Sequence, residues 1–350
     1  MPKKMDRILE SLKNYDGPDI SIMEVCGSHT AAISRSGIRS VISDRIKLHS
    51  GPGCPVCVTV TSYIDRLLKL AEDKDTCIVT FGDLIRVKGS RLSLYDARAA
   101  GARVEMVYSP MDVLKLAQKD RTTLFVFAAV GFETTTPVYA ILMDQILQTG
   151  IKNIKLLTSI KTMPEAVEWI LLNSDMDGFI APGHVCAVAG YRDYEALSEK
   201  YHVPFAVAGF DSSQIINAIY TLIRDKDKGV VTNLYTKLVQ REGNTAALEA
   251  VDRFFEKSDG AWRGLGIIEG SARYLKEEYL EFDAGSRDLN YDQDNEGCHC
   301  REILAGKEDS SECPLFAKAC TPASPRGACM VSEEGACFNA FAYMTEKRNG

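Results

Sequence analysis

The chain has 350 residues, of which 45% are hydrophobic and 25% charged, and its net charge is -7. These values allow a substantial core spread over two or three domains, exclude a small disulfide scaffold, and argue against a nucleic-acid surface as the main business. No apolar run approaches a membrane span, and the opening MPKKMDRILESLKNYDG lacks the apolar stretch and cleavage site of a signal peptide. A cytoplasmic protein, with no membrane and no nucleic-acid partner, is expected.

The opening stretch reads as a short amphipathic helix. From about Ser21 to Phe210 one grammar repeats: a short apolar, β-branched run, a turn rich in Gly, Pro, Ser or Thr, then a helical pattern. The candidate strands are ISIMEV, DRIKLH, CIVTF, RVEMVY, LFVFAAV, IKLLTSI, GFIAP and PFAVAG, and their alternation with helices implies βαβ units and a mainly parallel sheet. In Ser109-Pro110-Met111-Asp112 the Ser can cap a helix, Pro suits its first position and Asp can complete a capping box; Thr136-Pro137 repeats the Pro signal. Eight strands are many for one lobe, and GFETTTP looks like a fresh start. The expected fold class is therefore α/β, with two tandem Rossmann-like doubly wound lobes over residues 1–125 and 126–228. Helical patterns over residues 215–225 and 232–257, the second broken at Gly243, lead to an extended WRGLGIIEG. Residues 229–350 thus form a mostly helical and irregular region that ends in a cysteine-rich tail.

In open parallel sheets, ligands bind beyond the carboxyl ends of the strands. The unusual motifs of this chain fall there: Cys26-Gly27-Ser28-His29-Thr30, the loop Ser50 to Cys57, Gly82-Asp83, Gly131-Phe132-Glu133, and Pro182-Gly183-His184. A cleft between lobes lined by thiols, an imidazole and a carboxylate is expected. Glu133 and Asp83 can act there as acid, base or acceptor, or can cap the helices that follow. His184 can be a ligand or proton carrier, or can pack. No phosphate loop, dinucleotide fingerprint or nucleophile elbow is present.

The eleven cysteines are placed unevenly, with Cys298, Cys300, Cys313, Cys320, Cys329 and Cys337 crowded into the tail. A reducing cytosol disfavours structural disulfides, so such a cluster points to a metal or redox site. Its spacing, C-x-C-x12-C-x6-C-x8-C-x7-C, suits an iron-sulfur cluster and lacks paired zinc knuckles; zinc and free thiols are the rival readings, and spacing alone does not choose four ligands. Cys54 and Cys57 form a CxxC on a Gly/Pro-rich loop before a helical pattern, where a helix N-terminus can favour thiolate and reversible disulfide chemistry. Half a zinc site and two inert thiols are the alternatives. Cys26 has Gly, Ser, His and Thr around it, a poor setting for a core thiol and a suitable one for iron ligation or nucleophilic attack. Cys77 and Cys186 read as core, and His49, His202 and His299 as structural or solvent-facing.

EVCGSHT, SGPGCPVCV, TFGDLIRV, YSPMDVLKLA, GFETTTP, APGHV, VAGF, WRGLGIIE, CPLFAKACTP and GACMVSEEGAC occur in order from about residue 20 to 343. Together they resemble the HypD family of hydrogenase maturation factors. The resemblance implies a scaffold on which an iron carrying one CO and two cyanides, Fe(CN)2(CO), is assembled with a HypC-type small chaperone and a cyanide donor of the HypE/HypF pair. It implies that Cys26 is the iron ligand and that Cys54 and Cys57 are a redox-active pair in the same cleft, where the strand-end motifs also put His29, Glu133 and His184. It further implies a [4Fe-4S] cluster on Cys300, Cys313, Cys320 and Cys337, with Cys298 and Cys329 in reserve, exchanging electrons with the thiol pair. The family's first motif commonly carries a second His where Ala31 stands. Two other functions fit the residues: a cluster-dependent protein disulfide reductase, and a zinc-stabilised α/β binding module.

Overall fold

The computed structural model describes residues 2–293 and 296–349. Its strands are β1 (Ile20–Glu24), β2 (Ile46–Ser50), β3 (Thr76–Thr80), β4 (Val104–Met106), β5 (Leu124–Gly131), β6 (Ile154–Lys161), β7 (Gly178–Pro182), β8 (Phe205–Ala208), β9 (Val231–Asn233), β10 (Phe255–Trp262) and β11 (Gly266–Leu275). The eight runs expected from the sequence are β1 to β8. The chain divides into two compact α/β units, each with its own sheet. Among the described residues no helix is long and apolar enough to cross a membrane.

The first unit takes residues 1–54, 166–244 and 295–350. Its sheet runs β2-β1-β7-β8-β9 with every pairing parallel. Strands buried on both faces need near-continuous apolar sequence, and β7 and β8 (GFIAP, FAVA) are buried at every position. Ile20, Ile22, Ile180 and Ala206 of the sheet pack with Ile33 of the Gly27–Ser36 helix and with Ile215, Ile219 and Leu222 of the Ser212–Arg224 helix. The i, i+4, i+7 spacing of those last three residues makes the apolar stripe that docks the helix.

The second unit takes residues 55–165 and 245–294. Its order is β10-β11-β6-β5-β3-β4, parallel from β6 to β4 and antiparallel where β11 meets β6 and β10. Phe125, Phe127 and Ala129 of β5 alternate onto one face, where they pack with Tyr139, Met143 and Ile146 of the Thr136–Thr149 helix. Pro137 lies in the first turn of that helix, as the sequence suggested.

The chain changes unit after residues 54, 165, 244 and 294, whereas positions 125 and 228, the lobe limits suggested by the sequence, each lie inside a unit. The cysteine-rich tail belongs to the first unit.

Two local expectations are corrected. Residues 232–257 are not a broken helix: Val231–Asn233 forms an edge strand on β8, a helix occupies only Thr245–Phe254, and Phe255 already belongs to β10. β-branched Val231 and Thr232 pair readily at a sheet edge, and the β10-β11 hairpin claims the aromatic end of the apparent helix. The second correction concerns Ser109, whose Oγ accepts the Met111 N–H at 3.2 Å while the helix begins at Asp112, leaving Pro110 in the preceding turn and no capping box.

Candidate thiol and metal sites

In the first unit the parallel sheet brings the ends of β1, β2, β7 and β8 to one edge. β1 delivers Glu24 and Cys26, β2 delivers the loop from Ser50 to Cys54, β7 delivers Gly183 and His184, and β8 delivers Gly209 and Phe210. Gly51 N–H donates to the Glu24 carbonyl at 2.8 Å, and Gly27 N–H to the Gly53 carbonyl at 3.0 Å. A Cβ on Gly53 would lie 2.3 Å from the Cys26 nitrogen and 2.5 Å from its Cα. The Cys54 loop is thus pressed backbone to backbone against Cys26. Gly53→Ala is expected to force the two loops apart and to destabilise the protein by roughly 3 kcal/mol or more, read as a lower urea midpoint. An unchanged midpoint would contradict the contact.

Cys26 is the N-cap of the Gly27–Ser36 helix, with φ -150° and ψ 120°, and its side chain makes no capping hydrogen bond. A Ser or Asp here would turn inward to cap the first turn. The thiol is in no disulfide. Loss of hydration, with the nearby charges of Glu24 and Glu334, pushes it up to about 12, while the amides of His29 and Ser28 pull the other way and lose. The sequence placed a helix start beside Cys54 and Cys57; the structure puts one at Cys26, and the helix after the CxxC begins only at Thr61. Cys54 and Cys57 are joined in a disulfide at the point where the chain leaves the first unit.

His29 is fully buried. Its Nε2–H donates to the Gly209 carbonyl at 3.0 Å, and its ring lies 4.7 Å from that of Phe210. Burial lowers its pKa to about 4, so the ring is neutral and Nδ1, which has no partner, is a free acceptor. His184 is exposed and packs on the same Phe210 ring at 4.2 Å. Phe210 ends the VAGF motif, and its packing against both imidazoles was not legible there.

Glu24 was also passed over, although an acid ending the apolar run ISIME is a legible anomaly. It is 1% exposed, and burial raises its pKa to about 7 against the pull of hydrogen bonds from Thr30, Cys26 and Ser50.

The tail folds onto this edge. A Cβ on Gly27 would meet the Cβ of Glu334 at 2.4 Å, so only Gly allows the tail to lie against the Cys26 helix start. Cys313, Cys320, Cys329 and Cys337 are buried, and Cys298 and Cys300 half-buried. Cys300 Sγ and Cys329 Sγ are 2.8 Å apart. Burial raises the Cys298 thiol to about 12, with the charges of Cys300, Cys313 and Cys320 adding to the rise; Cys337 is raised likewise beside Cys300, Cys298 and Cys320. Among the described residues no three His, Cys, Asp or Glu side chains converge on a single-ion site. Cys77 and Cys186 are core residues, and His299 pairs with Glu308 at 2.7 Å.

Glu133 lies in the second unit, at the end of β5. Its Oε1 accepts the Met163 N–H at 2.7 Å, Oε2 has no partner, and burial raises its pKa to about 7. Lys161, which the sequence reading missed, ends β6. It is buried, donates to the Ala261 carbonyl at 2.6 Å, stands 5.5 Å from the Trp262 ring, and is lowered to about 7 by loss of hydration. The two titrations act with opposite sign. Glu133 binds a proton more tightly when folded, so its contribution to stability falls as pH rises from 4.5 to about 7. Lys161 binds its proton less tightly when folded, so stability rises with pH from about 7 to 10.5. In urea unfolding across this range, Glu133→Gln is expected to remove about 2–3 kcal/mol of the fall below pH 7, and Lys161→Met the rise above it. Slopes equal to those of the parent protein would refute the burial argument.

A two-sheet α/β protein with a CxxC disulfide, a buried imidazole and a six-cysteine tail belongs to the class of cysteine-rich α/β proteins. A family profile, HypD, described as the hydrogenase formation hypA family, matches residues 3–344. Hydrogenase maturation factor HypD of Cupriavidus necator is 40% identical over 342 residues, covering 93% of this chain and 90% of its own. A putative hydrogenase expression/formation protein of Methanocaldococcus jannaschii is 37% identical over 347 residues, covering 97% and 96%. Hydrogenase expression/formation protein HupD of Azotobacter chroococcum is 38% identical over 341 residues, covering 93% and 90%. This chain belongs to the HypD family of hydrogenase maturation factors.

Proposed function

We propose that the chain is a cytoplasmic scaffold that assembles and carries an Fe(CN)2(CO) moiety, working with a HypC-type small chaperone and a HypE-type cyanide donor. Cys26 is the iron ligand, and the Cys54/Cys57 pair is the redox partner beside it. The observation that carries this is the contact of Gly53 with Cys26, which sets a thiol that is in no disulfide against the CxxC loop. Low-valent iron favours soft thiolate, and metal binding displaces the proton that burial otherwise holds on Cys26. His29 and His184 flank the same edge through Phe210 and can orient or hydrogen-bond cargo ligands. Glu133 is assigned a cleft role as acid or acceptor.

The tail thiols suit a [4Fe-4S] cluster. Each thiolate then binds a different iron, which needs wider spacing than the roughly 2.3 Å bonds around one tetrahedral zinc permit. Cys300, Cys313, Cys320 and Cys337 are the proposed ligands, with Cys298 and Cys329 in reserve. The charges of Cys300, Cys313 and Cys320 act on Cys298, and those of Cys300, Cys298 and Cys320 on Cys337, so these thiols lie near one another. When bound, such a cluster supplies electrons one at a time; reduction of the Cys54–Cys57 disulfide takes two electrons and two protons.

Infrared spectra of the anaerobically purified full chain with its co-purified small partner test this reading. CO and cyanide stretching bands on the complex are expected. Their absence from cells induced for hydrogenase would favour the second reading, a cluster-dependent protein disulfide reductase, which the disulfide at Cys54 and Cys57 supports.

A further inference from the structure

We propose that Glu24 is the positioning residue for Cys26, acting as an acceptor that ties together the end of β1, the first turn of the Gly27–Ser36 helix and the end of β2. This rests on reading Cys26 as the ligand of the iron moiety. The carboxylate Oε2 accepts the Cys26 N–H at 3.0 Å, and Oε1 accepts the Thr30 hydroxyl at 2.5 Å. The Ser50 hydroxyl bonds the same carboxyl group, and the Arg39 charge lies near it. The Glu24 carbonyl also takes the Gly51 N–H at 2.8 Å. One residue therefore bonds both loops that meet at Cys26.

Burying a carboxyl group costs free energy, and an aliphatic residue would complete ISIME more cheaply. Hydrogen bonds to the group offset that cost and also define a geometry. The usual device at a helix start is an N-cap side chain that turns inward. A ligand cysteine at that position cannot serve both purposes. Here the Cys26 thiol makes no full capping bond, and Glu24 fixes the backbone nitrogen of the same residue from outside the helix. Thr30, one turn further on, is held by the other carboxyl oxygen, so the orientation of the first turn is set as well.

The proposal is tested on the anaerobically purified full chain with its co-purified small partner. The readouts are the CO and cyanide infrared bands, the visible absorbance of the tail cluster, and thermal unfolding. Glu24→Leu removes both side-chain acceptors and is expected to lower the bands about tenfold or more while the cluster absorbance persists. Glu24→Gln is expected to load within about twofold of the parent protein: its carbonyl can accept from Cys26 N–H while its amide donates to Thr30 Oγ1. That rescue separates positioning from any need for charge. Thr30→Val should fall between, at about a threefold loss. Ser50→Ala should do less, because Ser50 also lines a cavity of about 310 Å³ whose water can take over its bond.

Cys26→Ala is the control. Normal bands in that variant would refute the ligand reading itself. If Cys26→Ala is empty but Glu24→Leu loads normally, the ligand reading stands and the positioning role is overturned. A Gln variant as empty as Leu also overturns it. Should Glu24→Leu fail to fold, Thr30→Val decides: normal loading overturns the proposal, and a threefold loss at unchanged unfolding temperature supports it.

Discussion

Cys26→Ala is expected to abolish loading of the iron moiety, a loss of about a hundredfold or more in CO and cyanide band intensity, and to leave the tail cluster and the fold intact. The size of the effect follows from the setting of the thiol. It is the N-cap of its helix without a full capping hydrogen bond, so replacing it forfeits only the weak pull of the His29 and Ser28 amides. The residue is half-buried, and its truncation opens little core space. What disappears is the one soft donor on that loop. The pushed-up thiol, near 12, means that the free protein holds Cys26 protonated at neutral pH and that loading must release a proton. Loss of the tail cluster in the Cys26 variant would refute the assignment of two separate centres, and bands at parent intensity would refute Cys26 as ligand.

Removal of a tail ligand is expected to act in the opposite way. Cys300→Ala, Cys313→Ala and Cys337→Ala should each lower tail iron from roughly four per chain to below about one and bleach the brown colour, because a cluster held by three thiolates loses iron readily. Cys298→Ala, at a reserve position, should keep its iron. The contrast between Cys298 and Cys300, two residues apart, is the sharpest test of the proposed ligand set. A brown Cys300 variant beside a bleached Cys298 variant would overturn the ligand set that the family resemblance implies and put Cys298 in it. If neither Cys313 nor Cys337 changes the iron content, the tail does not hold the cluster.

The strands were legible because buried parallel strands demand apolar, β-branched runs, and all eight expected runs form strands. The motifs were legible because loops that follow such strands carry the residues that do not belong to a core. What misled the sequence reading was context. The stretch from Thr232 has a helical composition, but the free edge of β8 and the β10-β11 hairpin recruit parts of it into sheets. Glu24 and Lys161 were overlooked because each sits at the end of an apolar strand, where a charged residue looks like the start of a loop. Only the packing shows that both are buried.

By itself, the sequence determined the α/β class, the strand positions and the division of eleven cysteines into a lone thiol, a CxxC pair, a tail group and two core residues. The tertiary structure decided which of these share a unit. β1 pairs with β7, and the Ser21 N–H is bonded to Asp177 at 2.7 Å, 156 residues away. Such pairings depend on which apolar faces are left to bury once the chain has collapsed, and no local period encodes them. For that reason Cys26, the Cys54 loop and the tail are gathered in one unit and Glu133 in the other. The same packing turns an unremarked glutamate into the residue that holds the Cys26 backbone.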